Sequence, residues 1–288
     1  MTGRAEAASK AGILIEALPY IRSYRGRTLV VKIGGQALDD PSLAAVVAED
    51  LALLSIVGIR VVVVHGGGPQ ISEAMTAAGI EPTFVHGLRV TDESSMDLVR
   101  RVLVGSINAD LVARLGRAGV HAVGISGGDG PVLIGAKRAG PAGEDLGRVG
   151  EIASIGTELI ETLLARGYVP VLSSVAVDDE GDALNVNADE VAGAIASSLQ
   201  AAKLVFLTNV EGLYRDLGAA DSLVSELKAG ELQAMLATLS EGMRPKATAA
   251  VAALRGGVDK VHILDGRIAH AVLLEIFTEE GIGTQVLP

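Results

Sequence analysis

The feature that most constrains this chain is a repeated unit of a short apolar run, then two or three glycines, then a helical segment. The runs at 28–33 and 60–64 lead into Gly34-Gly35 and Gly66-Gly67-Gly68. This alternation is typical of a mostly parallel sheet with helices on both faces. We therefore predict an α/β fold, a three-layer α/β/α sandwich. Because ligands of such sheets bind beyond the carboxyl ends of the strands, the glycine loops mark the expected site.

Composition excludes several classes of protein. The chain has 288 residues, a net charge of −11 and no cysteine, which excludes disulfide frameworks, thiolate metal sites and cysteine nucleophiles. The acidic balance disfavours duplex nucleic acid as a partner, and the few aromatic residues disfavour stacking on single strands. No apolar run approaches the ~20 residues of a membrane span, and the N-terminus lacks a signal-peptide pattern. We therefore expect no membrane partner and a cytoplasmic location.

Two features divide the chain. Residues 9–22 carry apolar side chains at helical spacing ahead of the first strand, so 1–27 is predicted as a separate helix that either caps the domain or packs on another subunit. A charged turn near 178–184 suggests a boundary between an N-terminal lobe, 28–180, and a C-terminal lobe, 181–288. The two lobes would meet over a cleft.

The glycine loops favour an anion site. The chain contains neither GxxxxGK[ST] nor GxGxxG, so it is neither a P-loop protein nor a typical dinucleotide binder. Glycines directly after strands let backbone N–H groups approach a phosphate or carboxylate, and a helix N-terminus behind them adds partial positive charge. Tight turns without a ligand are the alternative, but two loops, one with Lys32 at its strand end, favour anion binding.

A hydrolase is a competing interpretation. The run HGGG at 65–68 resembles an oxyanion-hole loop, and GISGG at 124–128 matches the GxSxG pattern around Ser126. Asp265 and His270 follow in the chain order of a triad. This interpretation leaves Lys32 and the run MRPK at 243–246 unexplained.

A phosphoryl-transfer site explains those residues jointly. Lys32 and Lys246 each lie beside a glycine-bearing turn, and two cations with two glycine loops can hold a triphosphate. Asp189 can orient both lysines through charge-assisted hydrogen bonds. Considered by itself, an aspartate just before a helix is more typical of an N-cap. Three further polar residues suit a polar, acidic substrate: Arg89, Asn185 and Asn187.

The ordered motifs resemble the amino-acid-kinase superfamily and, within it, the N-acetylglutamate kinases. The resemblance runs from about residue 9 to 288 and rests on these segments: KIGG (32–35), VHGGGPQI (64–71), GLRVTD (87–92), SINADLVARL (106–115), LNVNAD (184–189), LTNVEGLYRD (207–216), GMRPK (242–246) and LLEIFTEEGIGT (273–284). It implies the amino-acid-kinase fold and ATP-dependent phosphorylation of the γ-carboxylate of N-acetyl-L-glutamate, a step of arginine biosynthesis.

The resemblance also implies roles for individual positions. Lys32 and Lys246 would stabilise the transition state, and Asp189 would organise them. The N-acetyl-L-glutamate site would comprise Gly67, Gly68, Arg89, Asn185 and Asn187. The ATP site would comprise Gly34, Gly35, Gly66, Thr208, Asn209, Gly212, Leu213, Tyr214 and Met243. Mg²⁺ would be carried by the ATP phosphates, with no dedicated metal site on the protein.

Arginine-inhibited members carry an extra N-terminal helix that interlaces dimers into a hexamer. Because residues 17–21 resemble that helix, the family predicts a homohexamer, a trimer of dimers, with L-arginine bound near Tyr20, Glu275 and Gly283. Asn209 stands where aspartate is common, and Arg244 replaces an apolar residue. These departures leave two alternatives open: a kinase for another acylated acidic amino acid, or a catalytically weak arginine-sensing protein.

Overall fold

The computed structural model describes residues 2–34, 36–215, 222–278 and 281–288. The helices in this part of the chain are α1 (Thr2–Tyr24), α2 (Gln36–Asp39), α3 (Pro41–Ile56), α4 (Gly68–Ala77), α5 (Glu93–Arg100), a π-helix (Arg101–Asn108), α6 (Ala109–Arg117), α7 (Glu158–Ala165), α8 (Ala188–Ser198), α9 (Ala229–Met235), α10 (Arg244–Arg255) and α11 (Ala271–Phe277). The strands are β1 (Thr28–Ile33), β2 (Arg60–His65), β3 (Phe84–Val85), β4 (Leu88–Arg89), β5 (Ala122–Ile125), β6 (Leu133–Lys137), β7 (Val149–Ile155), β8 (Val169–Ser173), β9 (Val175–Val177), β10 (Ala183–Val186), β11 (Lys203–Thr208), β12 (Leu213–Tyr214), β13 (Leu223–Val224), β14 (Glu226–Lys228), β15 (Val261–Asp265) and β16 (Thr284–Leu287).

The main sheet confirms the predicted architecture. Among the described residues it has eight strands in the order β14-β16-β15-β11-β1-β2-β8-β5. Six neighbouring strands, β15 to β5, are parallel, and β16 pairs antiparallel with β15. The central strands carry apolar runs, 29–31 on β1 and 61–64 on β2, because both of their faces are covered.

Side chains alternate between two cores on opposite faces of this sheet. Val30, Val62 and Val64 point to one face, where they pack with residues of α7, α8 and α10. Leu29, Val31 and Val63 point to the other face, where α3, α6, α11 and the π-helix cover them. Two helical layers around one sheet give the three-layer α/β/α sandwich, and the strand period of two decides which layer each side chain meets.

A small closed barrel of β6, β7, β9 and β10 lies beside the main sheet. The charged turn at 178–182 connects β9 to β10, which pair antiparallel within this barrel. The strands of the main sheet that precede this turn, β1, β2, β5 and β8, occupy one half of it, and those that follow occupy the other half. The division into lobes at 180/181 remains a prediction.

The predicted N-terminal helix is present and longer than expected, covering Thr2–Tyr24. Three successive apolar side chains on it are mostly exposed: Ile13 (62%), Leu14 (72%) and Ile15 (67%). No helix in the described ranges is both long enough and apolar enough to cross a bilayer. Glu93–Arg100 and Ala109–Arg117 are α-helical, and Arg101–Asn108 between them is wound as a π-helix.

Candidate active site

Two glycine loops meet at the carboxyl ends of β1 and β2. The backbone N–H of Gly66 donates to the Ile33 carbonyl over 3.4 Å, which links the second loop to the strand that leads into the first. Gly35, predicted in the ATP site, lies outside the described residues. The loops therefore lie side by side where the sheet order predicts a ligand.

A lysine–carboxylate–lysine cluster lies next to these loops. Lys32 Nζ lies 2.9 Å from Asp189 Oδ1, and Lys246 Nζ lies 2.9 Å from Asp189 Oδ2. The three side chains are 6–11% exposed, although Lys246 lies 57 residues beyond Asp189 in the chain. Lys246 Nζ also lies 5.2 Å from the centroid of the Phe206 ring. Two ammonium groups against one carboxylate leave a net positive charge, which suits an anionic ligand.

Burial and charge act in opposite directions on this cluster. Burial by itself would raise the pKa of the Asp189 carboxyl, but the charges of Lys32 and Lys246 outweigh it and hold that pKa well below its usual range. Burial lowers the pKa of the Lys246 ammonium, and the charge of Asp189 offsets part of this effect. The carboxylate thus partly compensates the cost of burying the Lys246 ammonium.

Asp189 is not the N-cap of α8. That position is Asn187, whose side-chain oxygen accepts from the backbone N–H groups of Asp189 and Glu190. The capping interpretation of Asp189 is therefore wrong, because Asn187 satisfies these N–H groups and leaves the Asp189 carboxylate to the lysines.

Gly34 is needed where Lys32 folds back over its own loop. A Cβ at position 34 would lie 2.6 Å from Lys32 Nζ, closer than two such atoms can approach. A side chain here would push the ammonium away from Asp189. The glycine therefore has a role in addition to exposing its backbone.

Arg89 is mostly buried and already bonded. Its guanidinium donates to the Gly68 carbonyl and to Ser72 Oγ, both over 2.8 Å, and its Cζ lies 4.6 Å from the centroid of the Phe84 ring. Burial lowers the pKa of the guanidinium. These contacts tie β4 to the start of α4. A substrate carboxylate bound to Arg89 would therefore share the guanidinium with the Gly68 carbonyl and the Ser72 hydroxyl.

One predicted substrate residue, Asn187, lines a cleft of about 470 Å³ between α8, α10 and the β3–β4 hairpin. Asn187 and Arg244 line this cleft, with His86 and Leu88 of the hairpin. Asn185 lies on β10, where its amide donates to Thr91 Oγ1 over 3.0 Å.

The predicted nucleotide residues gather around the end of β11. Thr208 closes that strand, and Asn209 and Gly212 lie in the turn that follows. Leu213 donates its backbone N–H to Thr284 Oγ1 over 2.8 Å, and the Tyr214 hydroxyl bonds to Glu211. Met243 immediately precedes α10, the helix that carries Lys246. The segment 208–214 thus begins at the carboxyl end of a central strand, where ligands bind in open α/β sheets.

The hydrolase interpretation is wrong. Ser126 follows β5 at one edge of the main sheet, and Asp265 ends β15, five strands away. Five strand spacings amount to about 24 Å, too far for a triad. Asp265 bonds to Arg267 instead, and His270 Nδ1 lies 2.6 Å from Asp50 Oδ1.

The predicted effector residues line a second cavity of about 440 Å³. Tyr20, Glu275 and Gly283 surround it together with Tyr24 and Lys203. Glu275 Oε1 lies 2.6 Å from His262 Nδ1, and burial lowers the pKa of Lys203 to about 8. This cavity lies at the amino ends of β11 and β15, opposite to the lysine cluster.

Sequence reasoning missed the polar groups that support the site. His65 is fully buried and bonds to Asn108, a residue of the π-helix. Glu190 accepts from the backbone N–H of Ile152 over 2.8 Å and pairs with Arg138 over 3.1 Å, which anchors the barrel to α8. No periodicity marks these contacts, because their partners lie 38 or more residues apart.

Across the described ranges, no group of three or more histidine or acidic side chains is arranged to hold a metal ion. The Asp189 carboxylate already has both of its oxygens on lysines.

Known proteins resemble the chain along nearly its whole length. The model of the amino acid kinase family matches residues 27–265. The acetylglutamate kinase of Methanocaldococcus jannaschii is 48% identical, over 98% of this chain and 97% of that protein. The acetylglutamate kinase of Acidothermus cellulolyticus is 49% identical over 97% of each chain.

A solved structure shows the same fold. The N-acetylglutamate synthase of Neisseria gonorrhoeae, complexed with coenzyme A and N-acetyl-glutamate, superposes with a TM-score of 0.87 at 33% identity. The match covers 96% of this chain and 63% of the synthase. With the family model, the relatives and the fold in agreement, this chain belongs to the amino acid kinase family, among the acetylglutamate kinases.

Proposed function

We propose that this protein is an acetylglutamate kinase, which phosphorylates the γ-carboxylate of N-acetyl-L-glutamate with ATP in arginine biosynthesis. The observation that carries the proposal is the buried Lys32–Asp189–Lys246 cluster beside two glycine loops. It presents net positive charge and backbone N–H groups where the charge of a transferring phosphoryl group would develop.

The reaction needs little chemistry from the protein. A carboxylate oxygen of the substrate forms a bond to the γ-phosphorus, and the bond from that phosphorus to the β–γ bridging oxygen breaks, so that ADP leaves with the electron pair. The products are an acyl phosphate and ADP. Because a carboxylate is deprotonated at neutral pH, no general base is required, and the rate depends on alignment and on charge stabilisation.

In this proposal the two lysines flank the transferred group and Asp189 holds them in place. ATP lies along Gly34, Gly35, Gly66 and the 208–214 segment, with Met243 against the nucleotide. The acylated amino acid lies against Gly67, Gly68, Arg89, Asn185 and Asn187. Asn187 suits this position because its oxygen is used in capping α8, so its amide nitrogen is the group left to face a carboxylate.

In our proposal Mg²⁺ arrives on the phosphates of ATP, as hard cations commonly do. The proposed location of the enzyme is the cytoplasm.

The test is ATP-dependent formation of acyl phosphate, trapped as the hydroxamate with hydroxylamine. N-acetyl-L-glutamate is compared with glutamate, aspartate and N-acetyl-aminoadipate, which differ in the acyl group or chain length. We expect turnover to be highest with N-acetyl-L-glutamate. Preference for N-acetyl-aminoadipate would favour the sibling-kinase alternative, and no turnover on any of the four would favour a binding protein.

We also propose that L-arginine inhibits the enzyme from the cavity of Tyr20, Glu275 and Gly283. The cavity pairs a carboxylate with the ammonium of Lys203, groups that complement the guanidinium and the carboxylate of a zwitterionic amino acid. In support, the Neisseria synthase has also been solved with coenzyme A and L-arginine, and that structure superposes with a TM-score of 0.82 at 31% identity over 65% of its length.

The exposed side chains of Ile13, Leu14 and Ile15 support assembly through α1, because three adjacent apolar residues in water favour a protein partner. We propose a homohexamer built as a trimer of dimers. In sedimentation, the double variant Ile13→Glu with Leu14→Glu should yield a smaller species, whereas Lys137→Glu on an exposed barrel strand should not. An unchanged sedimentation coefficient in the double variant would exclude α1 from the interface.

A further inference from the structure

His65 lies directly before the second glycine loop and contacts it through one ring nitrogen. Its side chain is fully buried at the end of β2. Nδ1 lies 3.0 Å from the Gly66 carbonyl oxygen, and Nε2 lies 3.0 Å from the amide nitrogen of Asn108. Both ring nitrogens are therefore engaged, one by the loop and one by the π-helix.

Asn108 decides which of these nitrogens carries the proton. The amide nitrogen of Asn108 also lies 2.9 Å from the Val171 carbonyl oxygen, which accepts but cannot donate, so the orientation of the amide is determined. Since that nitrogen only donates, His65 Nε2 must accept, and the single proton of the neutral ring resides on Nδ1. Burial, aided by the charge of Lys32, lowers the pKa of His65 to about 4, consistent with a neutral ring.

The Nδ1–H group in turn orients a peptide of the loop. It donates to the Gly66 carbonyl, and in a trans peptide the N–H of the next residue points in the opposite direction. The Gly67 N–H is thus directed away from His65 and donates to no group among the described residues. A Cβ at Gly66 would lie 3.3 Å from the Cβ of Ala188, the first residue of α8.

The π-helix holds the same peptide from a second direction. A Cβ at Gly67 would lie 2.3 Å from Ile107 Cδ1 and 2.9 Å from Leu103 Cδ2, so these side chains pack directly on its Cα. The π-helical winding brings Ile107 and Asn108 to the loop together, and π-helical segments occur frequently at functional sites.

We propose that His65 and Asn108 are positioning residues of this kinase: Asn108 holds His65 in the Nδ1–H tautomer, and His65 aims the Gly67 N–H at the anionic reacting groups. Neither residue touches substrate. The role in catalysis rests on the proposed function, whereas the tautomer and the loop geometry do not.

The tautomer is tested first, because that test requires no substrate. Nitrogen-15 long-range correlation spectra of the uniformly labelled full-length protein distinguish the two neutral tautomers and the imidazolium, and the His65→Asn variant identifies the His65 signal. We expect a protonated Nδ1 and an unprotonated Nε2 at pH 7.5. A protonated Nε2 would overturn the proposal. Asn108→Leu removes the donor at similar volume and should convert His65 to a mixture of tautomers; an unchanged spectrum would show that Asn108 does not select it.

Two substitutions of His65 separate aiming of the loop from packing. An asparagine amide can occupy the place of Nδ1 and still donate to Gly66, whereas a glutamine amide reaches the place of Nε2 and contacts Asn108 only. Both lose the ring, so their melting temperatures should fall together. We expect kcat of His65→Gln to be lower than that of His65→Asn by about tenfold or more, since a misdirected loop donor weakens transition-state stabilisation.

Equal kcat in the two variants would reduce His65 to a packing residue and overturn the proposal. If the wild-type protein turns over none of the tested substrates, the proposed function fails, and the tautomer spectrum still decides the geometry. If the enzyme is active but His65 carries its proton on Nε2, the positioning proposal fails and the proposed function stands. The two failures are therefore distinguishable.

Discussion

Two buried carboxylates at opposite ends of the same sheet show how one fold can build sites of different charge. At the carboxyl ends of the strands, Asp189 lies between two lysine ammonium groups, each 2.9 Å away. At the amino ends, Glu275 lies 2.6 Å from His262, and the Lys203 ammonium donates to the backbone carbonyl of Glu275 over 3.4 Å.

The difference lies in which partners stay charged. In the Asp189 cluster two ammonium groups face one carboxylate, so the cluster carries a net positive charge. In the Glu275 cluster, burial lowers the pKa of the His262 ring, and it lowers the pKa of Lys203 to about 8. The first site therefore suits a polyanion such as ATP, and the second suits a zwitterion.

The largest expected effect is on turnover at the lysine cluster. Lys246→Ala removes a cation placed where phosphoryl charge develops, and we expect kcat to fall by about 10²–10³-fold. The matched control is Arg255→Ala, which removes a positive charge from the exposed end of the same helix and should leave kcat nearly unchanged. Near-normal turnover in Lys246→Ala, measured by hydroxamate formation, would contradict the mechanism.

The next effect is on stability. Asp189→Asn leaves two buried ammonium groups without their counterion, so the free energy of unfolding should fall by about 3–5 kcal/mol. Asp259→Asn breaks an ion pair with Arg27 in which both side chains are about half exposed, and it should cost less than about 1 kcal/mol. Urea denaturation of both variants measures the difference. Similar losses of unfolding free energy in the two variants would mean that Asp189 stabilises the fold no more than a surface ion pair does.

The buried histidine of the glycine loop predicts a pH dependence. The pKa of His65 is about 4 in the fold and about 6.5 in the unfolded chain, so the unfolded state binds the proton first as the pH falls. The free energy of unfolding is unaffected by this group above pH 6.5 and should fall by about 3 kcal/mol as the pH approaches 4.

His65→Asn serves as the reference for this prediction, because it lacks the titrating ring and shares every other ionisable group. As the pH falls from 6.5 to 4, the free energy of unfolding of the wild type should therefore decrease more than that of the variant. A constant difference would indicate that His65 titrates normally in the folded protein.

The smallest effect is at the amino ends of the strands. Glu275→Gln removes the carboxylate proposed to receive the guanidinium of arginine, so the arginine concentration that halves turnover should rise about tenfold or more. Each variant is compared with its own uninhibited rate, and Glu158→Gln on the exposed side of α7 is the control. Unaltered inhibition in Glu275→Gln would remove this cavity from the regulatory proposal.

Much of the fold and part of the site were predictable from local pattern. Apolar runs ending in glycine predicted β1, β2 and the loops after them, because the burial of a strand and the conformation of the loop that follows depend on neighbouring residues in the sequence. Lys32 and Lys246 were recognisable because each lies beside a glycine-bearing turn. Whether Asn187 or Asp189 is the N-cap of α8 was harder to predict, since either residue type can cap a helix. Only the observed hydrogen bonds show that Asn187 does.

The hydrolase motif shows the limit of such reasoning. The spacing around Ser126 and the later Asp265 and His270 matched a triad in sequence order, and nothing local contradicted it. Strand order decided the matter, because it separates Ser126 from Asp265 by the width of five strands.

By itself the sequence determined the fold class, the position of the glycine loops and the identities of the charged residues, because these depend on short-range periodicity and residue type. Only the tertiary structure decided that Lys32, Asp189 and Lys246 form one buried cluster, and that Asn108 meets His65 across 43 residues of chain. Those contacts depend on the order of strands in the sheet and on the winding of the π-helix. The physical reason is that partners distant in the chain carry no shared periodicity, so packing alone brings them together and sets their charge.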